Sequence, residues 1–224
     1  MNYQAILFDL DGTLVDSIHD IAAAANAMLV SLGYPQLPHE QICSFVGRGV
    51  DALVWQCLLI SVDESAPSPE LYQQGRQAFA QHYQQQLEAG QTPIFDGVIA
   101  GLDRFRQTGC QLAVVTNKPL AYTKLILQQT QLAEYFSLVV GGDSCEEKKP
   151  HPLPLLYACA QLEIEPAHSL MIGDSVNDSQ AAQEADIDVL LVPYGYSPNH
   201  DVHSLGAQAV VADLVQAYEW ASKG

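Results

Sequence analysis

The sequence predicts an α/β protein: a parallel sheet buried on both faces, interrupted once by an inserted helical unit. Three observations carry this. Short apolar, β-branched runs alternate with helical stretches through most of the chain. The runs are continuously hydrophobic, as strands covered on both faces are. Between the first run and the second lie about a hundred residues with no strand-like segment, far beyond an ordinary crossover.

In chain order, AILF at residues 5–8 reads as the first strand. Ile18, Ile21, Ala22, Ala25, Met28, Leu29 and Leu32 then recur at helical spacing, and Gly33 ends the stripe. Further helices fit residues 50–60 and 69–87. The pattern breaks at residues 15–17 and again at 90–93, where Gly, Gln, Thr and Pro follow one another, so the hinges are expected there. The expected division is a core of residues 1–15 and 91–224 and a helical cap of residues 16–90. Later strands are expected at 112–115, 138–140, 170–172 and 189–192, with a weaker one at 209–211.

Composition narrows the function. A formal charge of −17 argues against nucleic acid or anionic membrane as a partner. The start, MNYQAILFDLDG, enters a strand with no leader pattern, and no apolar run reaches spanning length, so a cytoplasmic location is expected. Cys43, Cys57, Cys110, Cys145 and Cys159 are scattered and contain no Cys-x-x-Cys pair, which reads as buried thiols in a reducing compartment. Of only nine basic residues, Lys118, Lys148 and Lys149 fall just after expected strands. An anionic small molecule therefore remains a fitting ligand.

The first strand ends in DLDGT. Asp9 and Asp11 lie two residues apart, hence on one face of an extended strand, with no nearby base in sequence. Such crowding needs a shared proton or a cation. A hard divalent ion takes oxygen ligands and would leave one carboxylate as nucleophile while the other handles protons.

Ligands of open α/β sheets bind beyond the carboxyl ends of the strands, and three further strand ends carry chemistry. Thr116, Asn117 and Lys118 offer donors to phosphate oxygens, or equally a helix cap. Lys148 and Lys149 lead into Pro150 and are either ligands or solvated surface. Asp174 and Asp178, in GDSVND, are either metal ligands or a capping pair. In the expected cap, Gly47-Arg48-Gly49 breaks between helices, and Arg48 either pairs with a substrate carboxylate or is a surface arginine. His151, between two prolines, fits a positional role; His200 and His203 lie in a polar loop and make no metal site by themselves.

Taken together, DLDGT, VVTNK, KKPHP and GDSVND resemble the four ordered motifs of the haloacid dehalogenase-like hydrolases, across nearly the whole chain. The wording around TNKP, YFSLVVGGD and KKPHPLPLL is similar to that of bacterial phosphoglycolate phosphatases. This resemblance implies a Rossmann-like parallel sheet core with an inserted helical cap, and hydrolysis of a small phosphomonoester, 2-phosphoglycolate foremost. It implies Asp9 as the nucleophile that becomes an aspartyl phosphate and Asp11 as acid and base. It also implies Mg2+ held by Asp9, the main-chain carbonyl of Asp11 and Asp174, with support from Asp178. Thr116, Asn117 and Lys149 would bind the phosphoryl oxygens, with Lys148 as the substitute for Lys149, and Arg48 would set specificity. The partner is a small phosphorylated metabolite, the assembly a monomer or homodimer.

Related chemistries share this fold, and the sequence separates some of them. A dehalogenase would be expected to lack Asp11, and a phosphonate hydrolase would need a cap lysine, whereas residues 16–90 contain none. A sugar-phosphate phosphatase or mutase would share the core and differ in the cap. A signalling module that merely accepts phosphate would need neither Asp11 nor the cap.

Overall fold

The computed structural model describes residues 2–62, 66–90, 92–196 and 201–223. After β1 (Ala5–Phe8) the chain forms α1 (Ile18–Ser31), α2 (His39–Cys43), α3 (Val50–Ser61) and α4 (Pro69–Glu88) before any further strand. Then follow α5 (Val98–Gln107), β2 (Gln111–Val115), α6 (Leu120–Gln129), β3 (Leu138–Val140) and α7 (Leu153–Leu162). The chain closes with β4 (Ser169–Gly173), α8 (Val176–Glu184), β5 (Asp188–Leu191), β6 (Ala209–Val210) and α9 (Leu214–Ala221). The six expected strands are all present, and their bounds move by one residue at most.

The strands pair in the order β3-β2-β1-β4-β5-β6, every pair parallel. Successive strand residues point to opposite faces, and both faces are covered. Ile6, Phe8, Leu112, Val114, Leu170 and Ile172 pack on one side with residues of α5, α6 and α9. Ala5, Leu7, Ala113, Val115, Met171 and Val189 pack on the other with α7 and α8. This double burial is why the strands read as unbroken apolar runs. The sheet runs outward from β1 in both directions, so β1 and β4 flank the point where the winding reverses and a crevice opens at their carboxyl ends.

The four helices between β1 and α5 pack mainly on one another, α4 lying against both α1 and α3. α4 starts at a proline after Ser68, whose side chain accepts from the Leu71 N–H. Where the chain leaves and re-enters the sheet layer, its two segments run side by side. Asp16 N–H donates to Pro93 O at 2.8 Å, Phe95 N–H to Leu14 O at 3.2 Å, and Val15 bridges Ile94 antiparallel. Of the expected second hinge, Gln91 lies outside the described residues. No helix among the described residues is long and apolar enough to cross a membrane.

Candidate active site

The residues after β1, β2 and β4 converge. Asp9, Asp11, Thr116, Asn117, Lys118, Asp174, Ser175 and Tyr196 line one cavity, closed on its far side by Ile21, Val46, Gly47, Gly49, Val50, Leu53, Phe79 and Tyr83 of the helical segment. Its volume is about 60 Å³.

Asp9 continues β1, its N–H donating to Ile172 O of β4 at 3.0 Å. One carboxylate oxygen each from Asp9, Asp174 and Asp178 lies within 4.8 Å of the others. Lys149 reaches into this group, its Nζ 3.1 Å from Asp9 Oδ1 and donating to Asp178 Oδ1 at 2.6 Å. Burial pulls the Lys149 ammonium down, and the carboxylates of Asp178 and Asp9 more than offset it, so its pKa stands above the ordinary lysine value. Burial likewise raises the Asp9 carboxyl to about 6, against the pull of Lys149, with Asp178 and Asp11 adding to the rise. Asp174 is pushed well above its usual value, by burial first and then by Asp178 and Asp9.

Asp11 points elsewhere. Lys118 Nζ donates to both its oxygens, at 2.8 and 2.9 Å, and Ser17 Oγ donates to Oδ1. The expected crowding of the two carboxylates is thus relieved by two lysines distant in sequence, one for each. Burial lowers the Lys118 pKa, but Asp11 and Tyr83 outweigh it and the ammonium is held above its usual range.

Four acids and two ammonium groups leave two formal negative charges in a buried cleft. The donor set is all oxygen, and Asp9 Oδ1 is buried with no hydrogen bond of good geometry, Lys149 being its close cation. These features fit a hard divalent cation bound by carboxylates. Gly12 and Gly195 keep the wall thin there. A Cβ on Gly12, whose φ is +86°, would lie 2.6 Å from Asp174 Oδ2, and one on Gly195 would lie 2.2 Å from Asp174 atoms.

The structure separates the remaining expectations. Asp178 does cap α8, its Oδ2 accepting from Ser175 N–H at 3.0 Å and Ser175 Oγ at 2.6 Å, while Oδ1 takes Lys149. Asp178 thus caps α8 and also stands in the acid cluster. Thr116 and Asn117 do not cap α6, whose first N–H, that of Leu120, is taken by Asp143 Oδ1 at 2.7 Å. Thr116 is buried against the cavity. The Asn117 side chain is engaged with backbone, its Nδ2 donating to Gly47 O and Lys149 O and its Oδ1 accepting from Lys149 N–H. It positions Lys149 and holds Gly47 of the helical segment, a hold that Asn177 Nδ2 shares at 3.1 Å.

The two adjacent lysines part ways. Lys148 is turned to Asp51 of α3 at 3.2 Å, on the surface, whereas Lys149 is buried. Arg48 is exposed and does not line the cavity, although Gly47 and Gly49 on either side do. The local glycines bring backbone, not the guanidinium, to the site. His151 Nδ1 accepts from Leu153 N–H at 3.1 Å, a local turn contact. His200 lies outside the described residues, and His203 sits in a short surface turn.

Tyr196 had no signal in the sequence. Its N–H donates to Asp174 Oδ2 at 2.6 Å, while its hydroxyl donates to Asp16 Oδ1 at 2.6 Å and accepts from Ile18 N–H at 3.1 Å. It ties the acid cluster to the start of the helical segment. Lys118 was visible as a base beside Thr116, but its pairing with Asp11 was not.

Comparison with known proteins agrees with this geometry. Residues 6–192 match the family model described as haloacid dehalogenase-like hydrolase. A phosphoglycolate phosphatase of Nitrosospira multiformis is 42% identical over 214 residues, covering 96% of this chain and 93% of that protein. One of Chromobacterium violaceum is 41% identical over 221 residues, covering 99% and 97%. Among solved structures, a predicted phosphoglycolate phosphatase from Haemophilus somnus superposes with a TM-score of 0.93 at 30% identity, covering 99% of both chains.

Proposed function

The chain belongs to the haloacid dehalogenase-like hydrolase family, and on that premise we propose that it hydrolyses 2-phosphoglycolate to glycolate and phosphate. The observation that carries the chemistry is the placement of Asp9 and Asp11 at the end of β1, each with its own buried lysine, facing one cavity. The relatives named above carry the substrate. Residues 16–90 act as the cap and residues 1–15 and 91–224 as the catalytic core.

Asp9 attacks phosphorus and forms an aspartyl phosphate, while Asp11, oriented by Ser17 and Lys118, gives its proton to the departing alkoxide. Asp11 then takes a proton from water, which hydrolyses the acyl phosphate. Splitting the reaction serves a purpose, since phosphate monoesters hydrolyse among the slowest of uncatalysed reactions. Lys149, fixed by Asp178 and Asn117, and the Thr116 hydroxyl supply donors to the transferring phosphoryl oxygens. Asp9, Asp174 and the Asp11 carbonyl would hold Mg2+, with Asp178 orienting its neighbours. Bound there, Mg2+ would neutralise charge on the phosphoryl group and draw an anionic ester into an acidic cleft.

The test is release of inorganic phosphate from 2-phosphoglycolate with Mg2+, for the protein and for Asp9→Asn. Sustained turnover that the substitution abolishes is expected. A single phosphorylation without turnover would support the phosphate-accepting module, and turnover in Asp9→Asn would remove Asp9 as nucleophile.

A further inference from the structure

The helical side of the cavity is apolar except at one point. Ile21, Val46, Val50, Leu53 and Phe79 offer hydrocarbon; Tyr83 of α4 adds a hydroxyl. Tyr83 is 1% exposed, and its hydroxyl makes no hydrogen bond of good geometry among the described residues, although the Lys118 ammonium lies close enough to act on it as a donor. Its ring is held in place, stacked on Phe79 at 5.5 Å and edge-on to Tyr122 at 5.1 Å. A buried hydroxyl whose proton finds no acceptor is costly, and one on a residue that lines a ligand cavity is accounted for when the ligand supplies the acceptor.

At this end of the cavity lies Lys118, its charge paired with Asp11. Lys118 Nζ lies 4.9 Å from the centre of the Tyr83 ring while donating to both oxygens of Asp11. Burial, only partly countered by Lys118, holds the Tyr83 phenol protonated, and thus a donor, at neutral pH. A neutral O–H whose proton has no protein acceptor, walled by hydrocarbon, suits an acceptor oxygen on the part of the substrate that leaves.

We propose that Tyr83 is a specificity-determining residue, its O–H donating to the carboxylate of the leaving group. This rests on the glycolate reading above and assigns the recognition to α4 in place of Arg48.

The test compares kcat/KM for 2-phosphoglycolate with that for ethyl phosphate, which has the same two-carbon length and no carboxylate, in the natural protein and in Tyr83→Phe. The natural protein is expected to prefer 2-phosphoglycolate, and Tyr83→Phe to cut that preference by roughly ten- to a hundredfold, as loss of a hydrogen bond to a charged group does. Because the hydroxyl proton has no protein acceptor, the urea midpoint of Tyr83→Phe should stay close to that of the natural protein. If the preference survives in Tyr83→Phe, or both substrates lose equally, Tyr83 is not the carboxylate's partner, although the glycolate reading stands. If the natural protein shows no preference, both fall together.

Discussion

Lys118 donates to both oxygens of Asp11 across 107 positions of sequence, at 2.8 and 2.9 Å. The pair is largely buried, with side-chain exposures of 5% for Lys118 and 14% for Asp11. Removing one partner of such a pair strands the other charge, which costs far more than the pair itself contributes.

Lys118→Met should therefore lower the unfolding free energy by about 2–4 kcal/mol, and Asp11→Asn should recover part of it in the double variant. Urea unfolding of the four proteins of the cycle measures this. Strict additivity would show that the two groups do not interact in solution.

Asp9 yields a stability prediction with a definite sign. Its carboxyl rises from 3.8 to about 6 on folding, so the native state binds the proton more tightly than the unfolded chain. The stability tied to the protonated form is complete below pH about 4 and is lost as pH rises through about 6. In EDTA, Asp9→Asn should thus be more stable than the natural protein above pH 6, by about 1–3 kcal/mol, and the gap should close towards pH 4. A difference independent of pH in urea melts would contradict the shift.

Mg2+ should raise the thermal midpoint, since it binds the folded acid cluster and not the dispersed chain. At a hundred times its dissociation constant the gain is about 2.7 kcal/mol. Asp174→Asn should lose most of this response. Ca2+, which takes more oxygens at longer distances, should compete and inhibit. Melts with each ion against EDTA, paired with phosphate-release assays, check both; full activity with Ca2+ alone would refute the second.

Arg48 stands outside the cavity lining and exposed. Arg48→Ala should change kcat/KM for 2-phosphoglycolate by less than about threefold, as surface substitutions do. A selective loss of tenfold or more would mean that the arginine turns inward when substrate binds.

The order of strands and helices, the helical insertion and the four acids were legible in the sequence, because each is written locally. A strand buried on both faces must be apolar throughout, and a ligand group at its end must follow that run directly, as Asp9, Thr116 and Asp174 do. Pairing between distant side chains leaves no such mark. Whether Lys148 or Lys149 enters the site, that Lys118 serves Asp11, that Asn117 spends its amide on Gly47 and Lys149, and that Tyr83 and Tyr196 reach the cavity were decided only when the sheet order brought the ends of β1, β2 and β4 under one helical roof. Local sequence determines which groups a strand end presents. Tertiary packing determines which charge each group faces and how far it is kept from water, and so the ionisation on which its chemistry depends.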